Sequence, residues 1–235
     1  VEARTETVTV ADGTFDVPLW LPPSGRGPGI LLVQEIFGVG AYIRQVAEDL
    51  AAMGYVVGAP DLFWRLQRDW RAEGPDALAV SLDLGSRFDF ERGVADCAAT
   101  LAHLRGLPEV TGPVGAVGFC LGGSLDYVLA ATADPPPAAV ISFYGSAVPG
   151  SLDLIDRITM PLLFVFGGSD PYIPREEVAK VERAAAGRPN IEMYVSESSG
   201  HAFHNFTSPQ FHDPEAGPVV WELATTFLNR HLPVS

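Results

Sequence analysis

Short apolar runs alternate with helical patterns along most of the chain. Thr7–Val10 and Phe15–Leu21 are β-like runs separated by Ala11-Asp12-Gly13, whose Asp-Gly is a hairpin signal. The Pro/Gly-rich stretch Pro22–Gly29 reads as a loop. Ile30–Val33 is continuously apolar, as a strand buried on both faces would be. Ala41–Met53 has helical spacing and stops at Gly54; Tyr55–Ala59 is the next buried strand. Leu62 to about Gly85 lacks a clean period and reads as short helices and loop over the surface. Helices are predicted over Arg87–Leu104, Leu121–Thr132, Arg175–Ala186 and Gly217–His231. Strands are predicted at Val114–Gly118, Ala138–Phe143, Leu162–Phe166 and Ile191–Tyr194.

This alternation after an opening hairpin predicts an α/β protein with a mostly parallel central sheet flanked by helices on both faces. No internal repeat, linker or low-complexity segment interrupts it, so residues 1–235 are read as a single domain. In open α/β sheets the working groups gather beyond the C-terminal ends of the strands. The residues placed there are therefore the first to question.

One such strand ends in Gly118-Phe119-Cys120-Leu121-Gly122, immediately before a helix. That is the G-x-Nuc-x-G elbow pattern with cysteine as the nucleophile. Glycines at both flanks let strand and helix pack closely around a strained residue, and the helix N-terminus supplies backbone N–H groups for a developing anion. Asp170 follows the strand Leu162–Phe166, in Gly168-Ser169-Asp170. His201 follows Ile191–Tyr194, in Gly200-His201-Ala202-Phe203. Nucleophile, acid and histidine thus come in the chain order of α/β-hydrolases. In that arrangement His201 takes the thiol proton, and Asp170 fixes the imidazole tautomer.

Composition narrows the setting. Fifteen basic against 29 acidic residues give a formal charge of −14, which opposes nucleic acid and anionic membrane surfaces. No apolar run reaches the ~18 residues of a membrane span. The polar start Val1–Glu6 has no signal-peptide character. The two cysteines, Cys97 and Cys120, make no disulfide framework, which fits reduced thiols and a cytoplasmic setting. Histidine and cysteine spacing implies no metal, and nothing implies an organic cofactor. The expected partner is a small-molecule substrate, and the expected state a monomer or weak dimer. Cys97, on an Ala-rich helix, reads as a core thiol.

With Gln34-Glu35-Ile36-Phe37-Gly38 added to these pieces, the chain resembles the dienelactone hydrolase (carboxymethylenebutenolidase) family of α/β-hydrolases. The four matching segments occur in family order and span nearly the whole chain. The resemblance implies an α/β-hydrolase fold without a large cap domain. It also implies hydrolysis of a lactone or activated ester through an acyl-thioester on Cys120. It gives Glu35 the role of holding the resting thiol, and the amides of Ile36 and Leu121 the role of the oxyanion hole. Phe37, Trp64, Tyr144, Tyr172 and His204 are candidates for the pocket lining.

The match has a gap. Members that act on dienelactone hold its carboxylate with two arginines, but the corresponding stretches, Pro75–Leu84 and His204-Asn205-Phe206, contain none. A less acidic or neutral ester or lactone is therefore expected. Arg65, Arg68, Arg71 and Arg87 remain candidate anion donors. A broader carboxylesterase or thioesterase on the same scaffold is the first rival reading. A thiol-redox protein would lack a resolving cysteine near Cys120, and a non-catalytic binding relative would not need the three reactive groups.

Overall fold

The computed structural model describes residues 3–234; Val1 and Glu2 of the polar N-terminal stretch, and Ser235, lie outside the described residues. The chain forms two compact units, one running to Gly115 and a second over Ala116–Pro233.

In the first unit, β1 (Arg4–Val10) and β2 (Gly13–Trp20) make the antiparallel hairpin that Asp12-Gly13 predicts. The end of β2 pairs antiparallel with β4 (Val56–Gly58), and β4 pairs parallel with β3 (Gly27–Val33). β3 starts three residues before the predicted strand because Gly27-Pro28-Gly29 is buried and extended. A Cβ on Gly29 would lie 2.8 Å from the Val114 side chain, so the glycine permits close approach there. Helix α1 (Ala41–Ala52) buries Tyr42, Ile43, Val46, Ala47 and Leu50, a single helical face, against β4. Helix α2 (Ala77–Ser86) follows, then α3 (Phe90–Gly106), which packs on β1 and β3. The side chain of Asp89 accepts from the Arg92 N–H and starts α3.

The segment from Leu62 does not begin on the surface, as the sequence suggested. Leu62, Phe63 and Trp64 are buried, and Trp64 joins Val8, Phe15 and Val17 in a core cluster. The absence of a helical or strand period hid three core residues held by tertiary contacts.

In the second unit, the C-terminal half of β5 (Val110–Phe119), β6 (Val140–Phe143), β7 (Leu162–Gly167) and β8 (Ile191–Ser196) run parallel, each paired with the next. Helix α4 (Leu121–Thr132) packs on β6, α5 (Arg175–Ala185) on β8, and α6 (Ala216–His231) on β7. A 3-10 helix over Val148–Arg157, not foreseen from the pattern, packs against α4 and α5. The full sheet has eight strands in the order β1-β2-β4-β3-β5-β6-β7-β8 and is flanked by helices. Because β5 to β8 are parallel, the loops bearing Cys120, Tyr144, Asp170 and His201 all leave from one end. Among the described residues no helix is long and apolar enough to cross a membrane.

Candidate active site

Cys120 is the single residue between β5 and α4, with φ 54° and ψ −111°. A non-glycine residue there stores on the order of 1–3 kcal/mol of strain, which the surroundings must offset. They do so with backbone bonds. The Cys120 N–H donates to the Phe143 carbonyl at 2.9 Å, and the Cys120 carbonyl accepts from the Ser124 N–H at 3.1 Å. The Ser124 hydroxyl accepts from the Ala147 N–H at 3.0 Å, tying α4 to the loop after β6. Close approach explains the glycines. A Cβ on Gly118 would sit 2.3 Å from the Gly122 carbonyl oxygen, and one on Gly123 would sit 2.5 Å from that of Phe143. The first-turn amides of α4, Leu121 among them, have no carbonyl within the helix to serve.

Asp170 lies in the tight loop after β7 and is 3 % exposed. Its Oδ1 accepts from the Tyr172 N–H at 2.7 Å and the Ile173 N–H at 3.2 Å, which orients the carboxylate. Its Oδ2 is 2.6 Å from Nδ1 of His201, and Nε2 of His201 is 3.1 Å from Sγ of Cys120. Burial pulls the imidazole pKa down, but hydrogen bonds to Asp170 and Cys120 outweigh it and hold it near about 10. Thiol, imidazole and carboxylate thus stand in line within the second unit. A proton can pass from Sγ to Nε2 while Asp170 stabilises the cation.

Tyr144 and Tyr172 flank the imidazole, with ring centroids 5.2 and 5.1 Å away. Tyr144 is buried, whereas Tyr172 is 48 % exposed and forms an outer aromatic edge at the histidine. His204 is buried among rings, stacked on Trp221 at 5.1 Å and on Phe119 at 5.9 Å. Burial lowers its pKa to about 4, so it is neutral at physiological pH and packs as an aromatic.

Trp64 is buried in the first unit. Its ring stacks on Phe15 and its Nε1–H donates to Asp96 at 3.0 Å, so it staples the N-terminal hairpin to α3. The candidate anion donors serve local partners: Arg65 binds Asp12 and Asp96, Arg68 the Thr14 carbonyl, Arg71 Asp69, and Arg87 Asp83. Cys97 is fully buried in α3. Within the first unit, Glu35 is buried just beyond β3, its carbonyl accepting from the Gly38 N–H at 3.2 Å. The Ile36 carbonyl accepts from Trp70 Nε1–H at 3.1 Å, and that of Phe37 from the Ala72 N–H at 3.1 Å. Among the described residues, no group of three or more His, Cys, Asp or Glu side chains is placed to hold a metal ion.

Two features escaped the sequence reading. Asp126, on the buried face of α4, is fully enclosed; a Cβ on Gly118 would lie 2.5 Å from its Oδ2. Neither carboxyl oxygen has a hydrogen-bond partner among the described residues, and burial raises its pKa well above the carboxylate range. A lone acid in the otherwise apolar Leu121–Thr132 pattern was the available signal. The second is Asp213, whose Oδ1 accepts from the N–H groups of Glu215 and Ala216 ahead of α6. The cap-like sequence Asp213-Pro214 announced it.

A mostly parallel sheet with a strained strand-to-helix elbow at the end of β5 is the architecture of the α/β-hydrolases. The model of the dienelactone hydrolase family matches residues 15–232, and the chain belongs to that family. It is 32% identical over 224 residues to the carboxymethylenebutenolidase of Pseudomonas sp., covering 94% of this chain and 92% of that one. It is also 32% identical over 212 residues to carboxymethylenebutenolidase 1 of Cupriavidus pinatubonensis, covering 88% of each. A dienelactone hydrolase-like promiscuous phosphotriesterase from metagenomic libraries shares the fold, with a TM-score of 0.81 at 22% identity over 99% of this chain and 98% of that one.

Proposed function

We propose that the protein hydrolyses a lactone or activated carboxylic ester by acyl transfer to Cys120, the whole chain acting as one hydrolase domain. The observation that carries the reading is the in-line contact of Sγ with His201 Nε2 and of Nδ1 with Asp170. The family match, running through both compact units, supports the single domain.

In the first step Sγ, its proton held on Nε2, attacks the carbonyl carbon. The Leu121 amide at the start of α4 receives the oxyanion, with the Ile36 amide as the second donor that the family motif implies. The tetrahedral intermediate then collapses. The C–O bond breaks, the enolate or alkoxide takes a proton from the imidazolium, and an acyl-thioester remains. In the second step His201 Nε2 takes a proton from water, the hydroxide displaces Sγ as thiolate, and the carboxylic acid leaves, restoring the thiolate beside the protonated imidazole. A thiolate is a better leaving group than an amine anion, so esters and lactones suit this nucleophile better than amides. Tyr172 and Tyr144 line the substrate side of the base.

The test is a panel of lactones and aryl esters, as free acids and methyl esters, assayed with wild type and Cys120→Ala. Expected are turnover by wild type alone, a preference for the neutral esters, and a covalent acyl adduct on Cys120 by mass spectrometry. Turnover that survives in Cys120→Ala would sink the thioester reading. It would leave the broader esterase reading, which the missing arginines also favour.

The family motif extends the reading to Glu35 as the partner of the resting thiol. Glu35→Gln is expected to slow acylation on the order of 10²-fold, the scale of a lost acid–base group. Single-turnover mass spectrometry checks it, and an unchanged acylation rate removes Glu35 from the mechanism.

A further inference from the structure

The loop carrying His201 is gripped on both sides of the imidazole by the segment that starts α6. On one side, the Ser199 hydroxyl donates to Asp213 Oδ2 at 2.6 Å and lies 2.7 Å from the Ser196 hydroxyl. On the other side, the Phe203 carbonyl accepts from the Asp213 N–H at 2.9 Å, with His212 Nδ1 at 3.3 Å. Asp213 cannot swing, because its Oδ1 caps α6 and its carbonyl accepts from the Gly217 N–H at 2.9 Å. The hydrogen bond from Ser199 and the backbone amides of the cap keep the Asp213 carboxylate ionised.

Ser199 also reaches the acid loop. Its carbonyl accepts from the Ser169 N–H at 3.0 Å, one residue before Asp170. This single serine, 2 % exposed, therefore has its hydroxyl on the cap of α6, its carbonyl on the Asp170 loop, and its chain two residues from His201. Few side chains could fix acid and base relative to each other so directly.

We propose that Ser199 and Asp213 are positioning residues for the His201–Asp170 pair, holding the imidazole between the carboxylate and Sγ. The inference rests on the catalytic reading of that pair. The geometry demands such support: Nδ1 and Nε2 must satisfy two partners at once, and a displacement of about 1 Å at a reacting group costs on the order of 10² in rate. Without the hydroxyl, the backbone bonds of the base loop keep its path, but the loop loses the tie that fixes its orientation.

The experiment compares Ser199→Ala, Ser199→Thr and Asp213→Asn. Asparagine keeps an acceptor for the α6 cap, which separates loss of the cap from loss of the Ser199 link. Ser199→Ala is expected to lower kcat about 10- to 100-fold with KM within about twofold. Ser199→Thr, which keeps the hydroxyl, is expected to recover most of the rate. The second readout is the titration of His201 by NMR. Loosening its bonds to Asp170 and Cys120 moves it down from about 10 toward 6.5 in Ser199→Ala and Asp213→Asn.

A kcat within twofold of wild type, or a fallen kcat with His201 titrating as in wild type, overturns the proposal in favour of a plain loop clamp. Should Ser199→Ala not fold, Asp213→Asn gives the same two readouts. The titration needs no substrate. It therefore reads the positioning even if Cys120→Ala retains turnover and the thioester mechanism itself fails.

Discussion

His201→Asn is expected to lower kcat by about 10⁴-fold while leaving KM within a few-fold, because only the transition state uses the lost group. Asparagine is small enough for the site and offers a polar group to both neighbours. It cannot, however, carry a proton from Sγ to the leaving oxygen. In the proposed mechanism both half-reactions route that proton through Nε2, which sits 3.1 Å from Sγ. Acylation and deacylation should therefore slow together, and no acyl-thioester should accumulate. Stopped-flow kinetics with a chromogenic aryl ester, paired with mass spectrometry of the quenched enzyme, reads both steps. A loss smaller than about tenfold would mean that another base serves the thiol. His204 is not that base, since it is buried against Trp221 and Phe119.

The second large effect is on stability and concerns Asp126. The fully buried carboxyl has its pKa raised by desolvation alone. Its sign is fixed by linkage: the folded state binds a proton that the unfolded state releases above its ordinary pKa near about 4. Stability is therefore lost as pH rises from there toward the raised folded value. Asp126→Asn keeps the shape and removes the titration. Urea denaturation at a series of pH values above about 4 should show the variant gaining on wild type as pH rises, starting level or slightly below it because a buried amide also lacks partners. Parallel curves would show that Asp126 ionises in the fold or that solvent reaches it.

Periodicity and punctuation recovered most of the architecture. Leu121–Thr132 is a helix to the residue, and β7 and α5 differ from expectation by one position at one end. The juxtaposition of Cys120, Asp170 and His201 was readable because a parallel sheet sends consecutive strand ends to one edge, and each residue followed a recognisable strand. What could not be read depends on neighbours remote in sequence. Gly27-Pro28-Gly29 looks like a loop until Val114 is seen to need the space. Nothing near Trp64 in the sequence shows that Asp96, 32 positions later, takes its N–H. His204 lies three residues after His201, yet a turn in the chain sends it among aromatic rings. The bond from Ser199 to Asp213 links two segments whose patterns carry no mark of each other.

The interlocked backbones under Cys120 have a consequence for how such an enzyme can change. Gly118 and Gly123 each admit no further atom, and a Cβ on Gly145 of the next loop would lie 2.8 Å from the Ser124 nitrogen. A lineage or a designer altering this chain cannot re-aim the nucleophile by single substitutions there without displacing backbone on two sides. Variation has room at the exposed edge instead, where Tyr172 stands half in solvent over the histidine. New substrates are thus open to gradual acquisition from the rim, while the chemistry passes on unchanged or is lost whole.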